Sequence, residues 1–155
     1  MGIDDVSKQK IEACFPQLKR GGYKITSPDT RRYNCHAWAA EDDRHWWQPS
    51  PYGGLYWPLP LTGSDDETLD GYTRAFGSRG YSVCDDGGHE AGFEKIAIYV
   101  DHRGMPSHTA RQNGPGIWTS KLGDLEDIEH VSLEALAGPE PAYGTVTRFM
   151  KRKRK

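Results

Sequence analysis

Between Asp4 and Phe15, apolar Val6, Ile11, Cys14 and Phe15 recur at roughly helical spacing, and the pattern predicts a short amphipathic helix that Pro16 stops. Gly21-Gly22 reads as a turn, followed by a short strand over Tyr23–Thr26 that Ser27-Pro28-Asp29 closes. A second helix is expected from Cys35 to near Arg44, with Asn34 as its N-cap and Ala37, Ala39, Ala40 and Glu41 as helix formers. From His45 to Pro60 no helical or strand period is present. Proline, glycine and five aromatic side chains make this an ordered loop that must pack against something. Ser64-Asp65-Asp66-Glu67 is a capping box and predicts a helix to about Phe76. Tyr81–Cys84 reads as a strand. Phe93–Val100, Ser107–Gln112 and Ile117–Leu122, separated by turns at Asp101–Met105 and Asn113–Gly116, read as an antiparallel meander. Asp124–Gly138 is expected to hold one or two short helical pieces, and Tyr143–Met150 a last strand. The pattern therefore predicts an α+β fold over residues 1–150, a single domain without internal repeats. The helix bearing Cys35 packs on a small antiparallel sheet, and 151–155 form a basic disordered tail.

Composition adjusts this picture only slightly. The chain of 155 residues is long enough for one domain with a real core. Its 18 glycines and 10 prolines favour a loop-rich domain over a helical bundle. The formal net charge of −2 includes the five positive charges of Lys151–Lys155, so the remainder is acidic and a poor match for a broad nucleic-acid surface. No apolar run is long enough to span a bilayer, and no secretory signal is visible. Cys14, Cys35 and Cys84 are an odd set without close pairing, which points to free thiols in a reducing, cytoplasmic setting. Export as an effector by a route without a cleaved signal would leave the same sequence.

Chemistry concentrates on Cys35. A thiol in the first turn of a helix faces free N–H groups and the positive end of the macrodipole, so its pKa is expected to fall. It would then alkylate faster than Cys14 and Cys84 near neutral pH. A nucleophilic thiol needs a base and a group to orient that base. His108, on the second strand of the meander, is the candidate base. The Asn113–Gly116 turn sets it across from Lys121, give or take a residue. Ser120 is the orienter that chemistry prefers, because a hydroxyl accepts from a ring N–H and lysine does not. Strand parity favours Thr119 or Lys121, and Asp127 and His130 are further candidates. His36 points to another helix face and reads as exposed or as a support behind the thiol. Trp46, Trp47 and Trp57 either cover the core as a lid or, with Asn34, wall a substrate cleft beside Cys35.

No C-x2-C, H-x3-H or His-Glu-x-x-His spacing occurs, so neither metal nor cofactor is expected.

Five segments together carry a resemblance: Tyr33-Asn34-Cys35-x-Ala37-Trp38-Ala39, Gly92–Tyr99, His108-x-Ala110-Arg111-Gln112, Trp118-x-Ser120-Lys121-Leu122-Gly123 and Asp127–His130. As a set, spanning about Tyr33 to Met150, they look like an uncharacterised bacterial domain family. More remotely, a cysteine at a helix start with a histidine on a following strand resembles the papain-like superfamily, including NlpC-type endopeptidases, CHAP amidases and transglutaminase-like members. That resemblance implies a papain-like fold and a Cys–His thiol hydrolase or acyltransferase acting on amide or ester bonds of a peptide or small molecule, with Cys35 and His108 in those roles. One departure is that Glu94–Tyr99, which matches the usual histidine strand of NlpC-type enzymes, lacks a histidine. The rival expectation is a non-catalytic module whose Trp-rich loop binds a ligand or protein partner and whose Cys35 is buried.

Overall fold

The computed structural model describes residues 3–27, 30–50, 55–63, 65–122 and 126–154. The chain opens with α1 (Ile3–Cys14) and α2 (Pro16–Gly21). Pro16 therefore starts a helix as well as ending one: at the first helical position its missing N–H costs nothing. After β1 (Tyr23–Ser27) come α3 (Cys35–Ala39) and α4 (Leu69–Gly77). The strands β2 (Ser82–Cys84), β3 (Phe93–Val100), β4 (Pro106–Gly114), β5 (Ile117–Lys121) and β6 (Asp127–His130) follow. A 3-10 turn over Glu134–Leu136 precedes β7 (Thr145–Lys153).

The strands form a seven-stranded sheet in the order β1-β6-β5-β4-β3-β7-β2, with every pairing antiparallel. Strand β3 is buried from Glu94 to Val100 because both of its faces are covered. Ala97 and Tyr99 join Ile11, Phe15, Leu18, Trp118, Ile128 and Leu136 in one core cluster under α1 and α2. Ile96 and Ile98, of opposite parity, join Ala37, Ala39, Trp47, Phe76 and Met150 in a second cluster under α3 and α4.

This architecture corrects the expected fold class. The chain is β-rich, a seven-stranded antiparallel sheet with a few short helices, and not the α+β, papain-like or NlpC-type arrangement. Three local differences account for it. The Cys35 helix ends at Ala39 instead of near Arg44, because Glu41 turns to φ 63° and leaves the helical region. Asp127–His130, expected in helical pieces, is an inner strand next to the edge strand β1. Its register with β1 (Ile25↔Ile128) and β5 (Ser120↔Ile128) buries Ile128, and Ser27 and Tyr33 hydroxyls donate to Asp127 Oδ2 at 2.6 and 2.7 Å. Finally, Lys151–Lys153 are not a disordered tail. They pair with β3 (Lys95↔Lys151, Phe93↔Lys153), Arg152 is ion-paired with Glu94 and Glu41, and Lys151 with Glu90.

The predicted helix at Ser64 begins later, at Leu69, capped by the Thr68 hydroxyl accepting from Gly71 N–H. Ser64 itself lies outside the described residues. The meander matches β3, β4 and β5 closely.

Candidate functional site

Asn34 builds the start of α3. Its Oδ1 accepts from the N–H of Ala37 and of Trp47, each at 3.1 Å, and its Nδ2 donates to the Trp47 carbonyl at 2.8 Å. One buried amide thus caps the helix and ties the Trp-rich loop to it. Cys35 follows, buried but lining a cleft of about 350 Å³. Asn34, His36, Trp46, Tyr72, Ser107 and Tyr143 share that lining, with Glu67, Asp101 and Arg103 at its polar side.

The thiol is not acidified. Burial pushes it up to about 11, against the opposing pull of the N–H groups of Thr109, His36 and Cys35 itself and of the Lys121 ammonium. Desolvation outweighs a helix of five residues, whose dipole is small. The pKa depression expected at the helix start is therefore reversed, and the site holds a protonated thiol at neutral pH.

His108 is fully buried on β4. Its ring lies flat on Tyr143, with centroids 4.1 Å apart and planes 2° apart, and meets Tyr99 edge-on. Gly144 permits this placement of Tyr143: it adopts φ 84°, and a Cβ there would sit 2.0 Å from the Val100 carbonyl oxygen. His108 Nε2 and Ser120 Oγ are 2.9 Å apart, Ser120 Oγ and His130 Nε2 are 2.8 Å apart, and His130 Nδ1 lies 3.0 Å from the Ser132 carbonyl. His108 Nδ1 is buried and has no hydrogen-bond partner among the described residues. Burial, reinforced by His36 and His130, holds the His108 pKa well below the usual histidine range; burial likewise lowers His130 to about 4 and His36 to about 3.

The choice between Ser120 and its neighbours turns on register. Arg111 pairs with Thr119, and a register irregularity lies between Gln112 and Gly114. That offset places His108 and Ser120 on one sheet face, while Thr119 faces α3 and takes the Trp38 indole N–H at 3.3 Å. Lys121 is fully buried, its Nζ 5.8 Å from the Tyr33 ring centre.

Cys35 and His108 are not bonded: His108 shares its sheet face with Tyr99 and Ser120, whereas Thr109, the next residue along β4, meets α3 through His36. Thr109, the residue after His108, turns its backbone N–H to the sulfur, yet no hydrogen bond joins that sulfur to His108 Nδ1. His36 is buried rather than exposed, its Nδ1 2.8 Å from Thr109 Oγ1 and its ring edge-on to Tyr72. Of the three tryptophans, Trp46 lines the cleft. Trp47 also borders it but is fully buried in the core, its indole N–H donating to Asp42 at 2.9 Å. Trp57 is not among the lining residues and instead packs edge-on against Trp47 and Tyr72. Sequence reasoning missed Tyr72 and Tyr143, whose aromatic rings gave no local signal of a site. Among the described residues no group of three or more His, Cys, Asp or Glu side chains could hold a metal ion. No helix among them is long and apolar enough to cross a membrane.

Fold and site together define a β-rich domain with a buried cysteine lining a cleft and a buried histidine–serine–histidine chain on its sheet. The model of a family described as a domain of unknown function, DUF7689, matches residues 24–151, and the chain belongs to that family. No curated protein and no solved structure matches it.

Proposed function

We propose that the protein is a thiol-dependent acyl-transfer hydrolase acting on an amide or ester bond, with Cys35 as nucleophile, His108 as base and Ser120 orienting that base. The observation that carries this reading is the Nδ1 of His108: a buried ring nitrogen with no hydrogen-bond partner among the described residues, on the residue next to Thr109, whose backbone N–H bonds the sulfur. Orphaned buried polar atoms are rare and call for an explanation. Apo sites often hold catalytic groups further apart than they stand during reaction, so the missing sulfur–nitrogen bond does not exclude the pair.

The resting state is a neutral thiol and a neutral imidazole, since burial raises the first pKa and lowers the second. The thiol proton passes to His108 Nδ1 as the sulfur attacks the carbonyl carbon. The C–S bond forms, the imidazolium returns its proton to the leaving amine or alkoxide, and the C–N or C–O bond breaks. Water, deprotonated at the same Nδ1, then adds to the thioester, and the C–S bond breaks as the imidazolium returns its proton to the sulfur, releasing the acid and regenerating the thiol and the neutral imidazole. The N–H groups of Cys35 and His36 are the candidate donors to the developing oxyanion. The cleft accepts a small acyl group or a peptide segment, with Trp46 and Tyr72 as walls.

The thiol pKa of about 11 favours a second reading, a non-catalytic ligand-binding cleft. p-Nitrophenyl acetate separates the two. The hydrolase reading predicts a transient acetyl adduct on Cys35 in intact-protein and peptide mass spectra, followed by turnover, and no adduct or turnover in Cys35→Ala. Acetylation confined to Cys14, Cys84 and lysines, or turnover unchanged in Cys35→Ala, overturns it.

A further inference from the structure

The hydrogen-bond chain behind His108 has only one consistent set of hydrogen positions. It starts at the Ser132 carbonyl, which can only accept. His130 Nδ1, 3.0 Å away, must therefore carry a hydrogen. A neutral His130 then has its lone pair on Nε2, so the Ser120 hydroxyl donates to it across 2.8 Å. Ser120 has a single hydrogen and has now used it. Towards His108 its oxygen can only accept, so His108 Nε2, at 2.9 Å, carries the hydrogen. In neutral His108 the other nitrogen, Nδ1, is left with a bare lone pair, and it is this nitrogen that lacks a partner. With the opposite His108 tautomer, one Ser120 hydrogen would have to serve two acceptors.

We propose that His130 is a positioning residue: acting through Ser120, it locks His108 in the Nε2–H tautomer and so leaves Nδ1 as the ring's proton acceptor. The proposal rests on the hydrolase reading for its purpose, but its geometry is independent of it. The chain also tolerates the charge that catalysis puts on His108. When Nδ1 gains a proton, Nε2–H still donates to Ser120, and Ser120 still donates to His130, so no hydrogen bond has to reverse. His130 is not among the residues lining the cleft, and it reaches His108 through the hydroxyl between the rings.

The test is nuclear magnetic resonance of the full chain labelled with ¹⁵N-histidine, using long-range ring correlations at pH 7.5. For His108 the expected result is a protonated Nε2 and an unprotonated Nδ1. His130→Phe removes the acceptor, frees the Ser120 hydroxyl to donate to His108, and shifts His108 towards the Nδ1–H tautomer. His130→Gln, whose side-chain oxygen can accept from Ser120, restores the wild-type pattern. A wild-type His108 with hydrogen on Nδ1 overturns the proposal, as does a folded His130→Phe whose His108 signals are unchanged. Should His130→Phe fail to fold, the wild-type tautomer still decides. Because the readout is the imidazole alone, it stands or falls separately from acetylation of Cys35: the expected tautomer without a Cys35 adduct would refute the hydrolase and leave the relay intact.

Discussion

Three backbone N–H groups face the Cys35 sulfur, and the thiol still keeps its proton, because removing an ion from water costs more than a five-residue helix returns. Asn34 shows the same competition from the other side. Its amide is buried, and three hydrogen bonds depend on it. Asn34→Ala removes the cap and strands the N–H and carbonyl of Trp47, at an expected cost of about 2 kcal/mol. Urea unfolding measures this as a lower midpoint at unchanged slope, and a cost under about 0.5 kcal/mol would contradict the placement of Asn34. The capping role was legible from residue type and position alone. The link to Trp47 was not, since it joins two segments through tertiary packing.

Among the elements, those with a clear period were readable and those held by partners were not. The meander alternates and is bounded by glycine turns, so β3, β4 and β5 follow from the sequence. Asp127–His130 has little strand propensity outside Ile128 and is a strand because β1 and β5 flank it and bury Ile128. Lys151–Lys153 look like a solvated run and are strand because Glu94, Glu41 and Glu90 await their charges. Truncation after Met150 therefore removes the end of a ladder and leaves Glu94, only 7% exposed, without Arg152. Breaking a buried pair in this way costs about 3 kcal/mol or more. Thermal unfolding should show a Tm lower by several degrees, whereas an unchanged Tm would return these residues to the role of a tail. The pairing of His108 with Ser120 was half legible: hydroxyl chemistry selected Ser120, but the irregularity near Gln112 that brings it to the right face leaves no mark in the sequence.

For the molecule as a whole, the buried histidines set a pH dependence. His36 is lowered to about 3, His130 to about 4 and His108 further below its usual range, all mainly by burial. Above the unfolded histidine pKa, about 6.5, neither state binds these protons and they have no effect on stability. Below it the unfolded chain binds protons that the folded protein refuses, so stability falls with pH. The slope is about 1.4 kcal/mol per pH unit for each such histidine, down to its folded pKa. Urea midpoints between pH 7.5 and 4.5 should decline steeply, and a flat profile would contradict neutral burial of the imidazoles. The central claim, that His108 manages the proton of Cys35, is tested most directly by the rate of iodoacetamide alkylation at Cys35, followed peptide by peptide against pH in the wild type and in His108→Asn. With the imidazole as proton acceptor, the wild type carries a component that persists around neutrality. His108→Asn should lose it, by about 10²-fold at pH 7, while Cys14 and Cys84 react as before. Equal Cys35 rates in the two proteins across that range would contradict the account.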